Sequence, residues 1–423
     1  MTKELRVFLD TRQVGRLVRD ARGRLSLVYD DAWRTREDAH PVSLSMPLAQ
    51  KEHGHSVVNP FVWGLLPDNE IILERWAKRF HVSARNAFAL LGHVGDDCAG
   101  AVRFLPADAD APGTHGAVTW LDEKQIAARL RELRSDVSAW RSPEDAGQFS
   151  LGGAQPKTAL LFDGRRWGVP SGLFATTHIL KPGIADLDGH AENEHFCLDL
   201  ARALGIPAVT SQVMRFEDEV AIVVERYDRR RSRGELVRIH QEDLCQALAV
   251  HPVKKYENDG GPGVRAVVEL LRSASNAPTE DVNTFLDAVA LNWLIGGTDA
   301  HAKNFSILIG GRGRVRLAPL YDVASVLPYA RGRERKLKLA MKIGGKYRLH
   351  EIGLHAWTRL ARELKLDPEH VRIRVLDLSD ALPDQLADVV RRARAEGLRH
   401  PILSTLASTL KARAAQCSRE LRL

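Results

Sequence analysis

GGTDAHAKNFSILIGGRGRVRLAPLYD, residues 296–322, is the stretch that decides the reading. Asp299 and Asn304 stand five residues apart in it, with Ala-His-Ala-Lys between them. The run Phe305-Ser306-Ile307-Leu308-Ile309 predicts a strand, Gly310-Gly311-Arg312-Gly313 a turn, and Arg314-Val315-Arg316-Leu317 the return strand. A hairpin brings the chain back to where it began. Asn304 before it and Asp322 after it, next to Tyr321, can therefore face one small volume. An Asp, an Asn and a second Asp gathered in this way offer hard oxygen ligands for Mg²⁺ and one carboxylate for an acceptor hydroxyl. Phosphoryl transfer needs those parts. The same residues also suit a polar turn between a helix and a hairpin.

Upstream, three short segments carry complementary chemistry. Phe149-Ser150-Leu151-Gly152-Gly153-Ala154-Gln155-Pro156-Lys157 is rich in small residues that let backbone N–H groups approach phosphate oxygens. It is neither a P-loop nor a G-x-G-x-x-G turn, and a plain Gly-Gly turn would explain it too. It runs into an apolar strand, 158–162, and Asp163-Gly164, a hairpin signal. Lys181 ends the apolar run 176–180, where a strand lysine can meet phosphate or simply be solvated. Glu194, opening a helix expected over 193–204, is placed to pair with it or to answer the helix dipole. Val223-Val224-Glu225-Arg226-Tyr227-Asp228 ends another strand, where a hinge would offer backbone groups and a ring to adenine. An ordinary strand end is the plainer alternative.

The remaining sequence bounds these readings. The 423 residues hold 61 Lys and Arg against 54 Asp and Glu, a formal charge of +7 that permits an anionic partner without demanding one. Hydrophobic residues at 44% and charged residues at 27% suit a globular protein and exclude disorder as the main state. Cys98, Cys197, Cys245 and Cys417 form no C-x-x-C pair, so neither a zinc ribbon nor a disulfide framework is signalled. No signal-peptide core and no apolar run of membrane-spanning length occur, so a cytoplasmic protein with no membrane partner is expected. The first hundred residues read as short strands at 5–9, 15–18 and 25–29, then helix around 61–66 and 71–80. Residues 106–116 read as a linker, and a helix is expected from about 122 to 133. The basic run 226–233 reads as solvated, and after Gly234 the pattern is mainly helical. Over 354–366, Arg359, Arg362 and Lys365 recur every three residues and would form one helix ridge.

Residues 299–304 repeat the Asp-to-Asn interval of the protein-kinase catalytic loop, and their Asp-x-His order is closer to the lipid-kinase-like branch. Ordered blocks at 41–48, 64–68, 95–102, 150–160, 178–181, 224–229, 241–246, 255–263, 298–305, 321–322 and 337–341 together resemble the HipA family, the serine/threonine kinase toxins of bacterial type II toxin–antitoxin modules. The resemblance spans nearly the whole chain. It implies an α+β, two-lobed protein-kinase-like fold with a β-rich N-terminal subdomain over 1–140, a nucleotide-binding region over 141–230 and a mainly helical lobe over 231–423. It implies ATP and Mg²⁺ as cofactors. Asp299 would be the catalytic base, and Asn304 and Asp322 the metal ligands. Gly152, Gly153, Ala154, Gln155, Pro156, Lys157 and Lys181 would bind phosphates. Glu225, Arg226 and Tyr227 would form the adenine hinge, and His301, Ala302, Lys303, Asn304 and Tyr321 would line the site.

Ser150 matches the family's autophosphorylated serine, whose modification silences the enzyme. The implied partners are a HipB-like helix-turn-helix antitoxin, operator DNA reached mainly through it, and a translation-related protein substrate, typically an aminoacyl-tRNA synthetase. Arg359, Arg362 and Lys365 would add DNA phosphate contacts. Growth arrest or persistence would follow from the phosphorylation. Pro156 departs from the usual acidic residue before Lys157, and Cys98 from a common apolar one. The chain carries the N-terminal part that some members receive as a separate protein, so it looks like the full-length type. Two other readings stand beside the kinase: a catalytically idle corepressor on an antitoxin, and a small-molecule phosphotransferase. Intact Asp299, Asn304, Asp322 and Lys181 disfavour the idle form.

Overall fold

The fold, obtained as a computed structural model, is described for residues 3–109, 116–135, 149–172, 174–184, 186–232 and 234–422. The expected boundary at 140 and the middle of the 106–116 linker lie outside the described residues. By compactness the chain forms two units that interleave in sequence. The first comprises Met1–Pro182, Arg215–Val253 and Ser306–Arg316; the second comprises Gly183–Met214, Lys254–Phe305 and Leu317–Leu423.

The first unit opens with an antiparallel sheet in the order Glu52–His53, Leu25–Tyr29, Arg12–Arg19, Lys3–Leu9, Val102–Pro106. Alternation along Lys3–Leu9 puts Leu5, Val7 and Leu9 in the core. Helices His55–Gly64, Glu70–Phe80 and Ala87–Val94 contribute Phe61, Ile72 and Leu91 to the same core. The second of these starts where the Asn69 side chain accepts the Ile71 N–H and ends at His81 in the left-handed region.

A second antiparallel sheet of this unit runs Glu219–Glu225, His178–Pro182, Thr158–Phe162, Trp167–Gly172, Gly116–Leu121. The Asp163-Gly164 turn forms as expected, with Asp163 Oδ1 accepting the N–H groups of Arg165 and Arg166 at 2.8 Å each. The hairpin of the opening stretch is Ser306–Gly310 and Arg314–Leu317, with His240–Asp243 as a third strand. Helix Glu123–Ser135 replaces the expected 122–133.

The second unit is mainly helical. Its longest helix, Pro368–Ala395, has proline in its first turn and Asp367 accepting the Glu369 N–H. It packs against His190–Ala203, Pro278–Ile295, Leu354–Glu363 and Ile402–Arg422. Trp293 and Trp357 meet edge-to-face at 5.7 Å, both fully buried. Among the described residues no helix is long and apolar enough to cross a membrane.

Two expectations need correction and one needs detail. The chain after Gly234 is mainly helical, as its pattern predicts, but Glu235–Arg238, His240–Asp243, Lys338–Ile343 and Lys346–Arg348 are strands. These are short, and buried polar residues such as His240 and Glu242 erase their alternation. The run 226–233 is only partly solvated. Arg226 and Arg229 are buried, whereas Arg230 and Arg231 are exposed; Arg233 lies outside the described residues. The helix expected over 354–366 ends at Glu363, and Lys365 follows at φ +53°. Lys365 therefore leaves the ridge of Arg359 and Arg362. All three are exposed, and Arg359 Nε donates to Glu363 at 2.8 Å.

Candidate active site

Helix Pro278–Ile295 stops at Gly296, which takes φ +67°. The Gly297 N–H then donates to the Asn292 carbonyl at 2.8 Å. A Cβ at 297 would lie 2.1 Å from Asn292 Oδ1, so any larger residue there would have to displace the buried Asn292 side chain. The next residues turn into Ala302–Asn304, a single 3₁₀ turn. Asp299 supplies the acceptor that holds this loop. Its carbonyl takes the His301 N–H at 2.7 Å and the Asn304 side-chain N–H at 2.8 Å.

That second bond fixes which end of the Asn304 amide is occupied, and it leaves the amide oxygen for a cation. The Tyr321 hydroxyl donates to the Lys303 carbonyl at 2.8 Å, tying the Tyr321-Asp322 pair to the same loop. Asp322 itself has φ +59°, an uncommon conformation for a residue with a Cβ. Ala302, Lys303 and Asn304 are buried, while the Asp299 side chain is 67% exposed. Asn304 on this loop, and Asp322 next to the Tyr321 tied to it, carry the hard oxygens that suit Mg²⁺. Among the described residues no group of three or more His, Cys, Asp or Glu could hold a metal. A cation here would thus complete its shell with phosphate and water oxygens, as Mg²⁺ does in nucleotide sites.

In the first unit the expected phosphate loop is packed down. Phe149–Ser150 pairs in parallel with Asp97–Cys98. The Gly153 carbonyl accepts the Asp68 N–H at 3.1 Å. Ser150 has no exposed surface, and its hydroxyl donates to the Leu65 carbonyl at 2.7 Å. Lys157 Nζ folds back to donate to the Gly152 carbonyl at 2.7 Å, closing the loop on itself. Ala154 is exposed, and Gln155 and Pro156 are half-buried.

Lys181 lies inside strand His178–Pro182, opposite Ile222, and is 6% exposed. The pairing Leu180↔Thr158 sets Lys157 and Lys181 one residue beyond the same register position. Glu225 is exposed at the end of the neighbouring strand, opposite His178. Tyr227 is half-buried, its hydroxyl 2.5 Å from Gln241 Oε1.

Arg226 has a commitment that its sequence context hid. Its guanidinium donates to Asp228 at 2.8 Å and 3.0 Å, to Thr176 Oγ1 at 2.8 Å and to the Cys98 carbonyl at 2.9 Å. Arg229 reaches Asp97 at 2.7 Å and Asp228 at 3.1 Å, and Arg238 reaches Asp97 at 3.3 Å. Burial opposes ionisation of Asp97, but Arg229, Arg238 and Arg226 outweigh it and hold the carboxyl well below its usual range. The Arg226 side chain is therefore committed to this cluster. Sequence reasoning missed this cluster, and it missed Tyr256, whose hydroxyl donates to Asp299 Oδ1 at 2.5 Å. Its one signal was the block 255–263.

Comparison with known proteins gives a consistent result. The family model for the HipA N-terminal domain matches residues 5–105, and that for the HipA-like C-terminal domain matches residues 149–386. The Sinorhizobium fredii protein Y4mE is 38% identical over 395 residues, 91% of each chain. The serine/threonine-protein kinase toxin HipA of Shewanella oneidensis is 28% identical over 404 residues, covering 92% of this chain and 90% of that one. Among solved structures, a Shewanella oneidensis MR-1 complex of HipA, HipB and operator DNA superposes with a TM-score of 0.85 at 25% identity, over 99% of this chain and 98% of that one. That superposition carries the two-lobed α+β kinase architecture.

Proposed function

We propose, for a chain that belongs to the HipA family and is an ATP-using protein serine/threonine kinase of that toxin family, a specific division of labour. Asp299 accepts the hydrogen bond of the acceptor hydroxyl and orients it. Asn304 and Asp322 hold Mg²⁺, which when bound neutralises charge on the β- and γ-phosphates. Lys157 and Lys181 meet the phosphates, with the backbone of 152–155 around them. The backbone of 225–227 meets adenine, and His301 and Tyr321 line the nucleotide site. The observation that carries this reading is the loop 299–304, closed on the Asp299 carbonyl and tied through Tyr321 to Asp322. Asp322→Ala is expected to weaken Mg-ATP binding by at least about tenfold, for loss of a charged ligand. Calorimetry with Mg-ATP checks it, and parental affinity would remove Asp322 from the metal site.

Ser150 supports a self-limiting step. A phosphoserine carries roughly −1.5 to −2 charges and three acceptor oxygens. It has no room in a fully buried position whose neighbour is the Leu65 carbonyl, itself an acceptor. Phosphorylation there is expected to strip 149–150 from its strand partner and abolish ATP binding. Mass spectrometry after incubation with Mg-ATP should place phosphate on Ser150. A fully Ser150-phosphorylated sample that still binds ATP would sink the idea.

The Shewanella complex supports a HipB-like antitoxin and operator DNA as partners. Arg359 and Arg362 on their helix, and Lys365 separately beyond its end, would then lend phosphate contacts, with sequence read by the antitoxin. The aminoacyl-tRNA synthetase substrate rests on the family resemblance.

A further inference from the structure

Asp299 is mostly in solvent, and a carboxylate free to rotate loses the alignment that makes it effective. One side chain restrains it. The Tyr256 hydroxyl donates to Oδ1 at 2.5 Å, and His301 Nε2 is 3.9 Å from the same oxygen. Among the described residues, Oδ2 has no hydrogen-bond partner. Tyr256 is itself well placed. Its ring meets the buried His301 edge-on, with centroids 4.8 Å apart at 84°. The Lys255 carbonyl accepts the Ala302 N–H at 3.3 Å, and the Tyr256 carbonyl accepts the Gly261 N–H at 2.9 Å. Glu257 is anchored in turn, taking the Lys342 N–H at 2.7 Å and its ammonium at 3.1 Å. A phenol on a braced turn thus points at an exposed carboxylate 43 residues away in sequence.

We propose that Tyr256 is a positioning residue for phosphoryl transfer. Its hydroxyl holds Oδ1 of Asp299, and the carboxylate thereby presents Oδ2 to the acceptor hydroxyl. The idea rests on the reading of Asp299 as the acceptor-orienting base. Tyr256 touches neither acceptor nor phosphate in this scheme; it acts through Asp299.

Tyr256→Phe removes the hydroxyl and keeps the ring against His301. In full-length protein, label transfer from γ-labelled Mg-ATP to a fixed bacterial lysate would be measured for Tyr256→Phe, Asp299→Asn and the double variant. Tyr256→Phe is expected to lower the maximal rate by about tenfold or more, the loss of one hydrogen bond to a charged group. The ATP KM and the melting temperature should not move. The double variant should be no slower than Asp299→Asn alone, because the amide that the tyrosine would then hold has no second carboxylate oxygen to present to the acceptor. A parental maximal rate in Tyr256→Phe overturns the proposal. A faster one also does, since it would mean that the hydroxyl blocks the acceptor's place. Additive losses in the double variant overturn it as well, in favour of a role in the loop alone. If instead Asp299→Asn keeps the parental rate, the base assignment fails, whatever Tyr256→Phe does.

Discussion

Asp299→Asn is expected to bind Mg-ATP as the parent does and to transfer phosphate about 10³-fold more slowly. The substitution keeps the shape of the side chain and an oxygen for the Tyr256 hydroxyl, so the loop has no reason to move. The Asp299 carbonyl, which holds His301 and Asn304, belongs to the backbone and is untouched. Only the second carboxylate oxygen and the negative charge are lost, and those would meet the acceptor. Nucleotide binding by calorimetry and transfer by γ-label separate the two effects. Parental turnover would show that Asp299 is not the acceptor-orienting base.

The second large effect concerns stability. Asp97→Asn should destabilise the protein by about 3 kcal/mol or more, because it leaves Arg229 and Arg238 buried with less opposing charge. Arg231→Ala, in the same basic run as Arg229 but exposed, should stay within about 0.5 kcal/mol of the parent. Urea unfolding of both variants is the check. Equal midpoints would mean that the buried cluster adds nothing. The contrast matters because Arg229, which Asp97 holds, and Arg231 look alike in sequence. Charge alone does not say which arginines enter the core; Asp97, more than a hundred residues upstream, does.

That pair illustrates what could be read from sequence. The Asp299 to Asn304 interval and the hairpin after it are local, so spacing and turn chemistry sufficed. The strand around Lys181 was legible for the same reason. Tyr256 was not, because its partner is brought close only by the fold, and a tyrosine among Lys, Glu and Asn has no pattern of its own. The Lys365 error has another cause. Apolar spacing continued through Leu364 and Leu366, but a left-handed residue had already ended the helix, and no Gly or Asn marked it. Ser150 was found as a motif, yet its burial, on which the proposed silencing depends, is a property of packing.

The interleaving of the two units bears on how the protein is made. Domains tend to fold as they emerge from the ribosome, N-terminal part first. Here strand His240–Asp243 finds its neighbour only in Ser306–Gly310, and the first unit closes only with residue 316. Asp322 and the helices after 354 come later still. A chain cut short before residue 316 therefore lacks part of both units at once. No fragment that ends before residue 316 contains either unit whole. The candidate metal ligands Asn304 and Asp322 are therefore synthesised only after most of the first unit.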